Sequence, residues 1–191
     1  MKRVLFICLV AALSLISCNQ PRKIVTDTPI KTDILGIKLC ETMTVYDVQS
    51  ALMENTDKYF VTTPQKNGNE EVFRAITMDW NFNYGGLAWT YIDVGVTKDS
   101  EVFAAKIVGS YESEESAKQQ YDAAVAIFTQ KYGKGNNVSE NNIFWTDDVN
   151  SVGLMYYKSS SVDGSDRSFC ELYYVNNALT KKVEAESQLD I

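Results

Sequence analysis

Residues 87–97 read LAWTYIDVGVT, and this stretch decides the fold that the sequence predicts. Its even-numbered positions hold the β-branched side chains of Ile92, Val94 and Val96, whereas Trp89 and Tyr91 lie at odd-numbered positions. Successive side chains of a strand point to opposite faces of a sheet. The alternation therefore predicts a strand whose aliphatic face packs on a core and whose aromatic face points away from it.

Two more strands are predicted beside this one. Residues 72–82 alternate in a similar way, and the Gly85-Gly86 pair that follows suits the positive φ angles of a hairpin turn. On the other side, the polar residues 97–100 predict a second turn, and residues 102–108 predict the third strand. Together the three segments indicate a small antiparallel sheet.

A helix followed by three strands is predicted twice along the chain. The first helix begins after Thr44, a capping residue, and ends near Asn55. The second begins after Ser113 and ends before Gly133, with apolar side chains at helical spacing between them. Three strand-like segments follow the second helix: residues 142–147, 152–159 and 167–175. The two rounds share this pattern without residue identity.

These elements predict an α+β fold: tandem helix-plus-three-strand repeats, at 33–110 and 111–177, within one domain. Three antiparallel strands with one apolar face need a helix to cover them, and joining two such units edge to edge removes an exposed edge from each. We expect one six-stranded antiparallel sheet with the helices on one face. Residues 178–191 are expected to form a polar tail with weak helical character.

Composition excludes several classes of function. The chain has 191 residues, with 18 basic and 25 acidic side chains and no histidine. Without histidine, neither a Ser-His-Asp nor a Cys-His catalytic arrangement can be built. The net charge of −7 and the lack of a basic stripe argue against nucleic acid as a partner. We expect no enzymatic activity and no cofactor.

The N-terminus resembles that of a bacterial lipoprotein. The basic pair Lys2-Arg3 precedes an apolar run, residues 4–16, that is too short for an ordinary membrane-spanning helix. The phrase Leu15-Ile16-Ser17-Cys18 resembles the lipobox, whose cysteine receives the lipid. The resemblance implies lipidation of Cys18 and anchoring in the cell envelope, and Asn19 favours the outer membrane. An ordinary secretory signal peptide is the alternative.

Cleavage at this position would divide the N-terminal part of the chain in two. Residues 1–17 would be a signal peptide, and residues 18–32 a lipidated tether, with two prolines and no sustained apolar period. We expect the tether to hold the folded domain away from the lipid surface.

Two short phrases carry a second resemblance. Residues 34–39 (Ile-Leu-Gly-Ile-Lys-Leu) and residues 128–133, which end in Lys-Tyr-Gly, are similar to phrases in an uncharacterised group of gut-bacterial lipoproteins. That group typically opens with Gly-Ile-Pro-Leu-Asp-Gly, from which this chain departs at Lys38, Cys40 and Glu41. The element order resembles the fold of the β-lactamase inhibitor protein. That fold implies binding through the open face of the sheet.

Two cysteines, Cys40 and Cys170, remain outside the predicted signal peptide and lipidation site. The cell envelope permits disulfides, so a bridge between them could join the two repeats. The alternative is two separate buried thiols that act as small apolar side chains.

The acidic residues in predicted turns suggest no metal site. Asp147-Asp148 and the segment from Asp163 to Asp166 lack the spacing of a calcium-binding loop. Aspartate is common in turns for conformational reasons alone, so we expect these residues to shape the chain.

Alternation on residues 152–159 and 167–175 sends further rings to the same face as Tyr91. The predicted binding residues are Trp89, Tyr91, Tyr157, Phe169 and Tyr173. An exposed aromatic face typically marks a contact site. The alternatives are that the tail, a loop or a second subunit covers this face, or that the register is shifted by one residue.

These observations predict a binding protein anchored to the membrane through its N-terminal lipid. It would recognise a protein, peptide or glycan partner through the aromatic face. One alternative is a structural lipoprotein of an envelope assembly, with the aromatic residues in its core. A third is a hydrolase with two carboxylates about 5–10 Å apart in a cleft.

Overall fold

The computed structural model describes residues 23–55, 59–61, 65–67, 70–77, 82–160 and 166–189. These residues include the helices α1 (Val45–Asn55), α2 (Glu114–Tyr132) and α3 (Asn177–Leu189). The strands are β1 (Asp33–Ile34), β2 (Ile37–Lys38), β3 (Tyr59–Val61), β4 (Gln65–Asn67), β5 (Glu70–Thr77), β6 (Phe82–Tyr84), β7 (Leu87–Trp89), β8 (Tyr91–Thr97), β9 (Val102–Tyr111), β10 (Asn136–Ser139), β11 (Asn142–Thr146), β12 (Asn150–Ser160) and β13 (Asp166–Asn176). Among the described helices, none combines the length and the apolar character needed to span a membrane.

Nine strands form one antiparallel sheet in the described part of the chain, in the order β10-β11-β12-β13-β9-β8-β5-β3, with β4 also paired to β5. The predicted α+β fold with an antiparallel sheet is confirmed. Strands β3, β4 and β10 extend the sheet beyond the six strands expected. The two halves of the chain meet where β9 pairs with β13, from Val175 opposite Ala104 to Ser168 opposite Tyr111.

The sheet has two faces, which we name after the helices that pack on them. On the α2 face, Ile92, Val94 and Leu172 form the main hydrophobic core with Leu52 of α1 and Phe128 of α2. Ile92 and Val94 are 1% and 0% exposed, so the predicted inward face of β8 is confirmed. Burial of a large aliphatic side chain stabilises a fold by about 1.5–3 kcal/mol, and this layer carries most of the apolar contact.

Helix α2 begins and ends where the sequence predicts. Ser113 Oγ accepts a hydrogen bond from the Ser116 amide at 3.1 Å, which satisfies a donor of the first turn. At the other end, Gly133 has a φ of 78°, and its amide donates to the Thr129 carbonyl at 2.9 Å. The buried stripe of the helix faces the sheet: Ala117, Tyr121, Ala124, Phe128 and Tyr132.

Trp89 does not lie on the outer face, which corrects the prediction from alternation. The turn at Gly85-Gly86 is present, but β7 pairs with β6 in a separate ribbon, and the chain bends at Thr90 before β8 begins. The bend interrupts the alternation, so that Trp89 enters the same core as Ile92 and is 1% exposed. Its indole Nε1 donates to the Tyr84 carbonyl at 3.0 Å.

The predicted polar tail forms helix α3, which packs on the face opposite α1 and α2. The two helices expected on one face, α1 and α2, do share it, and α3 adds a third helix on the other. Val183 of α3 joins Phe103, Ala104, Tyr173 and Val175 in a second hydrophobic cluster. A bulge in β9 helps to build this cluster, because β9 slips by one residue where it pairs with Gly95 and Val96 of β8.

Tyr173 lies on the predicted face, but it is buried, at 4% exposure, and this corrects its assignment to an open surface. The reason is the cover that α3 provides. The ring lies across Gly153 of β12, where a Cβ atom would meet its Cζ atom at 2.0 Å. The Tyr173 hydroxyl then reaches the Oδ1 atom of Asn142 at 3.3 Å.

Residues 24–31, which belong to the predicted tether, are bonded to the folded domain; we call them the strap. Strand β10 pairs with β11 up to Phe144, and the strap continues along the same edge: the Thr26 amide donates to the Thr146 carbonyl at 2.8 Å. Ile30 is 3% exposed, and its amide donates to Asp147 at 2.7 Å. Burial of Ile30 and the free carbonyl of the edge explain why the segment docks.

The disulfide between Cys40 and Cys170 is absent, since both thiols are free. The Cys40 amide donates to the Val102 carbonyl at the start of β9, whereas Cys170 pairs with Gly109, near its end. Seven residues of strand separate the two positions by about 20 Å, far beyond the reach of a disulfide. Cys170 is buried, as the alternative of separate thiols expects, but Cys40 is exposed.

The packing of Tyr173 on Gly153 generates a first prediction. The Gly153→Ala substitution should lower the free energy of unfolding by about 1–3 kcal/mol, because the added methyl group overlaps the ring. Chemical denaturation would measure the change. In a Tyr173→Ala background the same substitution should cost much less, so equal costs in the two backgrounds would contradict the contact.

Candidate functional site

A buried ammonium group lies between two buried carboxylates on the α3 face. Lys106 Nζ lies 3.2 Å from Glu171 Oε1 and 3.7 Å from Asp93 Oδ2. The Lys106 side chain is 8% exposed, and each carboxylate side chain is 1% exposed. The strands β8, β9 and β13 are neighbours, and this places the three side chains side by side. We call Lys106, Asp93 and Glu171 the ion cluster.

Removal of three charges from water is expensive, so they must compensate one another. Each carboxylate contacts the same ammonium group, so the carboxylates are no farther apart than those two contacts combined. The Oε2 atom of Glu171 has no hydrogen-bond partner, although the atom is buried. Lys106 thus contacts both acids, while one oxygen of Glu171 accepts no hydrogen bond.

Tyr157 is partly exposed and contacts the ion cluster through its hydroxyl. Its hydroxyl donates to Glu171 Oε1 at 2.9 Å, and its ring stacks on Phe169 with centroids 5.5 Å apart and planes 27° apart. Burial raises the pKa of Tyr157 above its usual value, and the nearby Glu171 carboxylate raises it further. The phenol therefore keeps its proton at neutral pH and acts as a hydrogen-bond donor.

Three of the five predicted binding residues are partly exposed on the α3 face: Tyr91, Tyr157 and Phe169. We call them the aromatic shelf. Tyr157 and Phe169 are register partners on β12 and β13, and Tyr91 precedes the buried Asp93 by two positions on β8. The other two predicted binding residues, Trp89 and Tyr173, are buried in the two hydrophobic clusters and take no part in the shelf.

The ion cluster was missed at the sequence level, although its signal was present. Asp93 and Lys106 are each the only charge in a predicted strand, and Glu171 lies inside a strand whose other charge, Arg167, is its first residue. A charge at such a position is costly unless it has a partner, so three such charges on neighbouring strands predict a common cluster. The sequence did not show that β9 and β13 pair with each other, and this pairing brings Glu171 to Lys106.

Asp147 shapes its turn, as expected, whereas Asp166 is the first residue of β13. Asp147 Oδ1 accepts hydrogen bonds from the amides of Val149 and Asn150, at 3.1 and 2.7 Å, while its other oxygen holds the strap. Asp166 pairs with Lys158 at 2.6 Å, and Asp163 lies outside the described residues. Within the described ranges, no group of three or more acidic or cysteine side chains could hold a metal ion.

No protein-family model matches the chain, and comparisons with curated proteins and with solved structures gave no significant match. The aromatic shelf and the ion cluster are therefore the features that bear on function.

The ion cluster generates a second prediction. Lys106→Met should lower the free energy of unfolding by about 3–5 kcal/mol, because it removes the ammonium group that contacts both buried carboxylates. The matched control is Lys118→Met, which breaks an exposed pair with Asp122 and should cost less than about 0.5 kcal/mol. Urea denaturation would measure both, and similar losses would show that burial does not govern the pair.

Proposed function

We propose that this chain is a lipid-anchored binding protein of the cell envelope, whose partner docks on the aromatic shelf. The observation that carries the proposal is the partial exposure of Tyr91, Tyr157 and Phe169 on a sheet face that α3 covers only in part. Aromatic rings at a surface bury a large area per side chain when a partner docks, and they are enriched among residues that dominate binding energy.

Two contacts fix the Tyr157 ring, and a fixed ring favours binding. Stacking on Phe169 and the hydrogen bond to Glu171 hold the Tyr157 ring in place before any partner arrives. Little side-chain entropy is then lost on association. Flat, fixed rings suit an extended peptide, a protein surface or the apolar face of a sugar ring, which are the three classes of partner that we propose.

The lipobox-like phrase that ends at Cys18 supports the anchor. We propose acylation at this residue and location in the outer membrane, in keeping with Asn19 at the following position. The order of elements around the β9–β13 pair is consistent with tandem repeats like those of the β-lactamase-inhibitor fold, and we propose this relationship for the domain.

A structural role in an envelope assembly is the alternative, and the burial of Trp89 and Tyr173 favours it. Under this hypothesis the aromatic residues serve packing alone. The hydrolase hypothesis gains a carboxylate pair, Asp93 and Glu171, but Lys106 holds both acids and the cluster is buried. A glycoside hydrolase needs its two acids accessible on either side of the substrate bond, so we do not favour this hypothesis.

The third prediction tests the aromatic shelf. Tyr157→Ala combined with Phe169→Ala should reduce capture of the partner by crosslinking in intact cells, measured by mass spectrometry. The loss of even one anchoring ring typically costs at least about 1 kcal/mol, or roughly fivefold in affinity. The control is Tyr46→Ala, which removes a ring that is 76% exposed on α1. Unchanged capture by the folded double variant would contradict a role for the shelf.

The fourth prediction tests the anchor. Cys18→Ser should release the chain from the membrane fraction into the soluble fraction, because the acyl chains contribute about 0.8 kcal/mol for each buried methylene. Cys40→Ser, which alters an exposed free cysteine of the folded domain, is the control and should stay with the membrane. Membrane retention of the Cys18 variant would disprove lipid anchoring at this residue.

A further inference from the structure

The strap sets how far the folded domain can stand from the proposed lipid anchor. Ile24 is held to β10 by reciprocal hydrogen bonds: its amide donates to Asn136 Oδ1 at 2.7 Å, and Asn136 Nδ2 donates to its carbonyl at 2.8 Å. Six peptide units join Cys18 to Ile24, so their Cα atoms are at most about 20 Å apart. This step rests on the proposed lipidation of Cys18.

Further contacts keep the strap in place over its whole length. Thr26 Oγ1 donates to the Tyr132 carbonyl at 2.9 Å, in addition to the Thr26 amide bond to β11. The Ile30 side chain is buried in the main core, and its amide is bound to Asp147. Release of the strap would therefore break several hydrogen bonds and expose Ile30, so the short reach from Cys18 constrains the folded domain.

The surface where the strap begins is apolar and carries a cation. Ile24 is 39% exposed, Val25 is 45% exposed and Val138, two residues beyond Asn136 on β10, is 41% exposed. Lys23 Nζ lies 5.8 Å from the centroid of the Phe144 ring. We call Lys23, Ile24, Val25 and Val138 the β10 patch. Aliphatic side chains beside an ammonium group suit the boundary between lipid headgroups and acyl chains.

From this placement we infer that the β10 patch rests on the bilayer that carries the anchor. The occupant is a lipid surface, because Ile24 lies at this end of the sheet and its Cα atom is at most about 20 Å from that of Cys18, the proposed lipid site. Strand β10 is the edge of the sheet, so contact through this patch would set the sheet edge-on to the membrane. The aromatic shelf would then open sideways, toward partners that lie along the same membrane surface.

Photocrosslinking in intact cells tests this orientation and is the fifth prediction. The full chain would carry p-benzoylphenylalanine at position 138 or, as the control, at position 53. Met53 is 63% exposed on α1, which packs beside β3 at the other end of the sheet. After irradiation, mass spectrometry of the peptide carrying each probe should find phospholipid adducts at 138 several-fold above those at 53.

Equal lipid yields at the two positions would overturn the orientation, and so would protein adducts alone at position 138. The mass of the N-terminal peptide, measured in the same samples, distinguishes the two proposals. An unacylated Cys18 would overturn the anchor and the orientation together. An acylated Cys18 without lipid adducts at position 138 would overturn the orientation and leave the anchor standing.

Discussion

Pairing of β9 with β13 is the constraint on which the rest of this structure depends. The two strands come from different halves of the chain, and their register continues the sheet from β10 to β3. This pairing gives α2 a continuous sheet surface to cover, and it places Glu171 within reach of Lys106. Loss of this pairing would leave two small sheets with open edges and would separate the buried Glu171 from Lys106.

The α3 face carries two different surfaces side by side. Helix α3 covers the apolar part, where Phe103, Tyr173 and Val183 pack together. The part beyond the helix contains the ion cluster. There, Tyr157 and Phe169 stack on each other, and Tyr157 donates a hydrogen bond to Glu171 of the cluster. The apolar side chains that α3 covers would form an exposed apolar patch without the helix, and such patches favour aggregation. The cover therefore protects one part of the face, while the rings of the other part remain open to a partner.

The edge at β10 links the fold to the proposed anchoring. Edge strands expose free backbone groups, and the strap satisfies one of them at Thr146. The same hydrogen bonds shorten the tether that the sequence predicts, because residues 24–31 belong to the folded domain. Protection of the edge and orientation toward the membrane thus follow from a single docked segment.

Local pattern was sufficient for α1, α2 and six of the strands, and for many side-chain directions. Spacing and capping residues predicted α2 from Ser113 to Gly133, and alternation predicted that Val94 points inward. These features depend on neighbours within a few residues, which periodicity describes. Only the tertiary structure decided that Trp89 turns inward at the bend of Thr90, that α3 covers Tyr173, and that Cys40 and Cys170 lie far apart. Each of these outcomes depends on contacts between residues distant in the sequence, and hydrophobic burial selects those contacts without leaving a local pattern.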